Sequence, residues 1–216
     1  ERVCIVLLTD DHSSVRNAIS MPTSSGIMAH IERFVADFNK LVMRTSTDSS
    51  RPTGALYTGS ASEYLSWIYK TSLDEETINT KPIPTYVKPL HSVGETDIHK
   101  IMRHFRLDMR DSAAPAAFWP QAAAHACDIL NHATCPPGSD ISTYELATGL
   151  VPTVMDILPF GCKMYALVPS PLVGKTNPSN ARSWIGVNLG RRANMAKAYY
   201  VWVPTSASPM STSEIY

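Results

Sequence analysis

Acidic, basic and imidazole or thiol side chains each recur in this sequence at spacings that could serve chemistry. The acidic candidates are Asp10 and Asp11 after an apolar run, Glu63, and Glu95. Carboxylates are hard oxygen ligands, and a set of them brought together holds Mg²⁺ for phosphoryl chemistry. A lone one does not. Asp10 and Asp11 open the polar stretch that ends at Ser14, where an aspartate more often closes a turn on nearby backbone amides. Glu63 reads as a helix start. At about 100° per residue, Glu95 lies beside the direction of Met102 on one flank and of His99, Arg103, Arg106 and Arg110 on the other. As a first-turn glutamate paired with His99 one turn on, it would need no metal to explain it.

The basic candidates form two groups. His99, Arg103, Arg106 and Arg110 share a narrow sector of one helix, and Lys175, Arg182, Arg191, Arg192 and Lys197 gather near the C-terminus. Such groups can contact phosphates, although a few charges also make an ordinary solvated surface. Nineteen basic and nineteen acidic residues cancel. The chain therefore lacks the positive excess with which dedicated nucleic-acid binders displace counterions. Any contact with nucleic acid is expected to be local, weak and indifferent to base sequence. His125, Cys127, His132 and Cys135 match no compact zinc-finger spacing. Gly190-Arg191-Arg192 is followed by no Walker-type lysine and Ser/Thr. No metal site is expected.

Periodicity gives the elements that must position these groups. Val3 to Leu8 is a continuous apolar run, expected as a buried strand, with a partner strand from Val15 to Met21. Apolar residues at helical spacing predict an amphipathic helix over 26–44, ended by the Ser/Thr-rich residues 45–53. A strand over Gly54–Thr58, a helix over Glu63–Thr71 and a proline-interrupted extended stretch over Thr77–Val87 follow. A second strong helix is expected over 94–111, with Ile98, Ile101, Met102, Phe105 and Met109 on one face. A third runs from Ala116 to His132, anchored in the core by Phe118 and Trp119. Short strands are expected around 162–168, 183–189 and 198–203, and the last dozen residues read as a solvated tail. The four cysteines form no CxxC pair and read as reduced thiols of an intracellular protein, nuclear or cytoplasmic. No apolar run reaches the ~18 residues of a membrane span.

An ordered series of short motifs crosses the second half of the chain. It comprises Phe118-Trp119 with Ala122, Ile129-Leu130-Asn131, Tyr144-Glu145-Leu146 with Gly149 and Pro152, Phe160-Gly161-Cys162 with Tyr165, and Val168-Pro169. In this order and with these gaps, the series resembles the integrase of copia-type (Pseudoviridae) retrotransposon Pol polyproteins. The resemblance is dense after residue 115 and looser before it. It implies an α/β fold, ribonuclease-H-like, with a mixed sheet and helices over 1–150, a small β module over 151–205 and a flexible tail over 206–216. It also implies that the strand at Val3 is the family's second. The first, central strand and its catalytic aspartate are then missing, which leaves strand edges unpaired.

The family joins DNA ends with two metal ions held by three carboxylates. Its glutamate falls on Glu95. Its second aspartate belongs to a motif that reads Thr58-Gly59-Ser60-Ala61-Ser62-Glu63-Tyr64-Leu65-Ser66 here, so the aspartate position is Gly59, with the family's thirty-five residues between it and Glu95. The register is kept and the ligand is lost. The resemblance thus implies descent from a polynucleotidyl transferase, with activity lost and the family's Mg²⁺ no longer held. Residual nucleic-acid contacts are expected on the two basic groups, the stripe at His99–Arg110 first, and self-association through unpaired strand edges. Two other classes stand beside it: a host-recruited protein- or DNA-binding module, and an active integrase completed by sequence upstream of Glu1. Gly59 argues against the latter.

Overall fold

In a computed structural model, the residues described are 4–10, 13–21, 31, 33, 34, 36, 55–58, 79–82, 88–112, 114–153, 157–167, 183–192, 198–204 and 210–212. The chain forms two compact units. One is Glu1–Lys100 with Thr134–Pro152, the other Ile101–Ala133 with Thr153–Tyr216. This differs from a division at residue 150, because the helical stretch 101–133 belongs with the C-terminal sheet.

In the first unit, β1 (Cys4–Thr9) pairs antiparallel with β2 (Arg16–Met21), with Cys4 opposite Met21 and Thr9 opposite Arg16. The turn between them is closed by Asp10. Its Oδ2 accepts from the Ser13 backbone N–H at 2.7 Å and from the Ser13 hydroxyl at 2.6 Å, the turn-closing role its sequence context suggests. Val6, Leu8 and Ile31 form the local core, with Ile19 and Phe34 against it. Residues 31, 33, 34 and 36 are helical; the rest of the helix expected over 26–44 and the one expected over 63–71 lie outside the described residues. A second pair, β3 (Ala55–Thr58) and β4 (Asn79–Pro82), is parallel. Among the described residues these strands pair only within their own twos, so the fold shown is mixed α/β without one continuous mixed sheet.

The long helix α1 (Lys88–Asp111) begins in the first unit and ends in the second. It starts well before residue 94, where the sequence suggests. Pro89 falls in its first turn, where a missing amide hydrogen costs no helical bond. Gly94 is absorbed in the helix interior with open space around it.

In the second unit a short 3-10 turn (Ala116–Phe118) leads into α2 (Trp119–Ala133). Phe118 and Trp119 are half-buried rather than core residues: Phe118 packs on Trp202 and Trp119 on Phe105, with ring centroids 5.5 Å and 6.5 Å apart. Small alanines, Ala122, Ala123 and Ala126, fill the buried face of α2 instead and let it approach closely. Back in the first unit, α3 (Thr143–Thr148) is capped by the Ser142 hydroxyl, which accepts from the Glu145 N–H at 3.1 Å. It ends on Gly149, whose φ of 67° allows its N–H to reach the Glu145 carbonyl.

Four antiparallel strands complete the second unit in the order β5 (Lys163–Leu167), β6 (Ser183–Arg191), β7 (Tyr199–Trp202), β8 (Met210–Thr212). Met164, Ala166, Tyr199, Val201 and Val203 are its core. Gly186 faces Met164 in register, and a Cβ there would drive into the Val201 side chain and lie 2.9 Å from the Trp202 carbonyl oxygen. Part of the expected tail is therefore strand: Met210, Ser211 and Thr212 pair with Val201, Tyr200 and Tyr199. The aromatic edge of β7 offers unpaired backbone groups, and pairing satisfies them.

Candidate functional site

The groups singled out by sequence sit mainly on α1. Its buried line is Asp97 and Ile101, continued by half-buried Phe105 and Asp108. Ile98 and Met102, expected on the core face, are 48% and 36% exposed. The displacement has a cause that apolar periodicity does not show. Arg16 of β2 and Asp97 form an ion pair at 2.9 Å with both side chains almost wholly buried. Lys100 adds a longer contact of 3.5 Å to the same carboxylate oxygen. A buried charge persists only when paired, and this pair turns the acidic position inward.

Glu95 is exposed on α1. With the helix starting at Lys88, it lies beyond the first turn, so the helix dipole does not account for it. It makes no ion pair with His99, which is also exposed. Its register partner Gly59 lies outside the described residues. Arg103, Arg106 and Arg110 are all exposed. At spacings of three and four they share a helix face roughly opposite Ile101 and Asp108. Arg110 in the last turn also suits the helix dipole.

Of the second basic group, Arg191 and Arg192 fall among the described residues. Arg191 Nε lies 3.2 Å from Asp128 Oδ2, so its charge is already engaged. Arg192 is exposed, and Lys175, Arg182 and Lys197 lie outside the described residues. Gly190, at φ 103°, sits where β6 shifts register against β7, which makes this glycine part of a bulge.

The His/Cys string is used for packing and hydrogen bonds. His125 contacts Asp108 at 2.9 Å and the Leu158 carbonyl at 3.0 Å. His132 Nδ1 donates to the Asp128 carbonyl of its own helix at 2.8 Å. Cys135 is exposed beyond α2, and Cys127 is buried within it. Burial pushes the Cys162 thiol up from its ordinary value, partly offset by hydrogen bonds from backbone and from Asn188. Among the described residues no three His, Cys, Asp or Glu side chains converge as metal ligands would, and no helix is long and apolar enough to cross a membrane. The Arg16–Asp97 pair and the His125–Asp108 contact were the features sequence reasoning missed. Both join residues far apart in the chain, with no local pattern to announce them.

No family model matches the chain. No curated protein matches it in sequence. Among solved structures, a chain of the simian T-cell lymphotropic virus intasome, determined in complex with PP2A regulatory subunit B56 gamma, is similar over 97% of this chain and 74% of that one. The identity is 15% and the TM-score 0.50. At that identity the likeness is one of fold.

Proposed function

We propose that this chain descends from a copia-type retrotransposon integrase with a ribonuclease-H-like core, and that it contacts nucleic acid through α1 without catalysing strand transfer. The ordered motifs from Phe118 to Pro169 and the fold likeness to an intasome chain support the descent. The observation that carries the binding reading is the exposed line Arg103, Arg106 and Arg110. Guanidinium groups on one helix face suit phosphates, and such contacts carry no base sequence information.

The residues present do not suit a pair of Mg²⁺ ions. Gly59 offers no oxygen ligand, and the carboxylate buried nearest to Glu95 in sequence, Asp97, is already neutralised by Arg16. No step through a metal is therefore assigned to this chain.

The test is binding of duplex DNA at low and moderate salt. Weak, sequence-independent binding that falls steeply with salt is expected. Reversing Arg103 and Arg106 to Glu should weaken it more than reversing Arg191 and Arg192. Equal losses would point to diffuse electrostatics, and no binding at low salt in the unaltered chain would remove the reading. Strand transfer dependent on Mg²⁺ and abolished by Glu95→Gln would overturn the inactive assignment.

A further inference from the structure

The four-stranded sheet of the second unit ends on β5 at one side and on β8 at the other. At the β8 side, Met210-Ser211-Thr212 brings one apolar side chain and still forms a strand on β7. Backbone pairing with this sheet therefore asks little of the side chains. At the β5 side, among the described residues, no strand lies on the outer edge. The Cys162 carbonyl accepts from the Asn188 N–H at 2.9 Å. Hydrogen-bonded positions alternate along an antiparallel pair, so Met164 and Ala166 bond to β6. The backbone groups of Lys163, Tyr165 and Leu167 then point away from the sheet.

The side chains along this edge have one sign of charge beside apolar surface. Met164 and Ala166 enter the core. Lys163 and Tyr165 stand on the opposite face, both exposed, with the ammonium 5.0 Å from the ring centroid. Ile185, opposite Tyr165 on β6, is 55% exposed, and Val187, opposite Lys163, is half-buried. None of the residues in the four strands is acidic. The other cation in these strands, Arg191, is engaged by Asp128. Lys163 therefore sets the charge of this face.

We infer that β5 is a docking edge for an extended acidic segment of a partner protein, which adds a further strand to the sheet. The segment's backbone pairs with the outward amides and carbonyls of Lys163, Tyr165 and Leu167. Side chains on one face of a strand recur every second residue. A carboxylate across from Lys163 is thus followed, two residues on, by an apolar side chain against Tyr165 and Ile185. Opposite charges across a strand pair attract and like charges repel. The edge lysine therefore selects an acidic segment and turns away a basic one.

The experiment is amide hydrogen exchange by NMR on the full chain, alone and with a blocked peptide. The probes are Thr-Thr-Glu-Thr-Val-Thr-Val-Thr and its reversed sequence, one for each strand direction. In the chain alone, the amides of Lys163, Tyr165 and Leu167 should exchange fast and those of Met164 and Ala166 slowly. Slow exchange at all of them would mean that the edge is already covered, and would overturn the proposal. Excess peptide should protect the three outward amides. Lys163→Glu should weaken binding by about fivefold, as expected when an attractive cross-strand pair becomes a repulsive one. Lysine in place of the peptide's glutamate should weaken it similarly, without altering the chain. Methylation of the peptide nitrogens that face β5 should abolish binding. Equal binding by the methylated peptide, no binding by either probe, or pairing of β5 with a second copy in sedimentation would each sink the proposal.

Discussion

Helix α1 directs two aspartates inward, and each is held by a different kind of side chain. Asp97, in the first unit, meets Arg16, whose guanidinium keeps its charge across the accessible pH range. Asp108, in the second, meets a ring nitrogen of His125, also at 2.9 Å. The first has both side chains buried, 4% and 3% exposed, whereas the second leaves its carboxylate 18% exposed, so loss of a partner costs more at the first. The largest expected effect tests the first. Arg16→Met leaves a buried carboxylate whose remaining cation, among the described residues, is the exposed Lys100, and should cost about 3–5 kcal/mol in denaturation experiments. Adding Asp97→Leu should recover most of that loss, because an apolar pair can replace a buried ion pair. A loss below about 1 kcal/mol would mean that water reaches Asp97 when the arginine is gone.

A pair of glycines separates backbone strain from packing in the two units. Gly138 in the first unit and Gly161 in the second have φ values of 79° and 76°. A Cβ on Gly138 meets open space, whereas one on Gly161 would collide with the Ser112 side chain. Gly138→Ala should therefore cost only the left-handed penalty of about 1–2 kcal/mol. Gly161→Ala adds overpacking and should reach about 2–4 kcal/mol. Similar losses at both sites would show that Ser112 yields easily.

The same contrast explains what the sequence reveals. Strands β1, β2, β5, β6 and β7 are legible because apolar and β-branched residues cluster between turn formers such as Asp10 and Gly161. Helix α2 is legible over Ala116 to His132, although its buried face carries Ala122, Ala123 and Ala126 rather than Phe118 and Trp119. The start of α1 is not, since Pro89 resembles a helix breaker until its first-turn position is known. Nor is the inward face of α1, where Asp97 replaces Ile98 because of its distant partner Arg16 on β2. Strand β8 was hidden because Met210-Ser211-Thr212 lies in a Ser/Thr/Pro-rich stretch, and only the open edge of β7 recruits it. The resemblance gives Gly59 and Glu95 a motif register, yet register carries no information about exposure. The arginine stripe was legible as a set of spacings. Its exposure required knowing which side of α1 is buried.

Trp119 sharpens the comparison on the second unit's side. The sequence suggests a core anchor, but the ring is half-buried and its aromatic contact is Phe105, tilted by 52°. Trp119→Ala should cost about 2 kcal/mol, below the 3–5 kcal/mol usual for a fully buried aromatic. A loss at the upper end of that range would show that the ring contributes more burial than its exposure suggests.

The smallest effect compares a thiol from each unit. Cys135 is exposed in the first unit, while Cys162 is partly buried in the second. Alkylation proceeds through the thiolate, and burial raises the pH that Cys162 needs to form one. With iodoacetamide near pH 8 and peptide mapping of the products, Cys135 should react faster, by about tenfold or more once thiolate fraction and access combine. The Cys162 rate should continue to climb at pH values where an ordinary thiol, ionised above about 8.5, has levelled off. Cys162 follows Gly161, and its carbonyl accepts from the Asn188 N–H at 2.9 Å, so its protection reports the integrity of this corner. Gly161→Ala should narrow the gap between the two cysteines. Equal rates in the unaltered chain would mean that the corner opens faster than the reagent attacks, and that the second unit's packing is looser than its hydrogen bonds indicate.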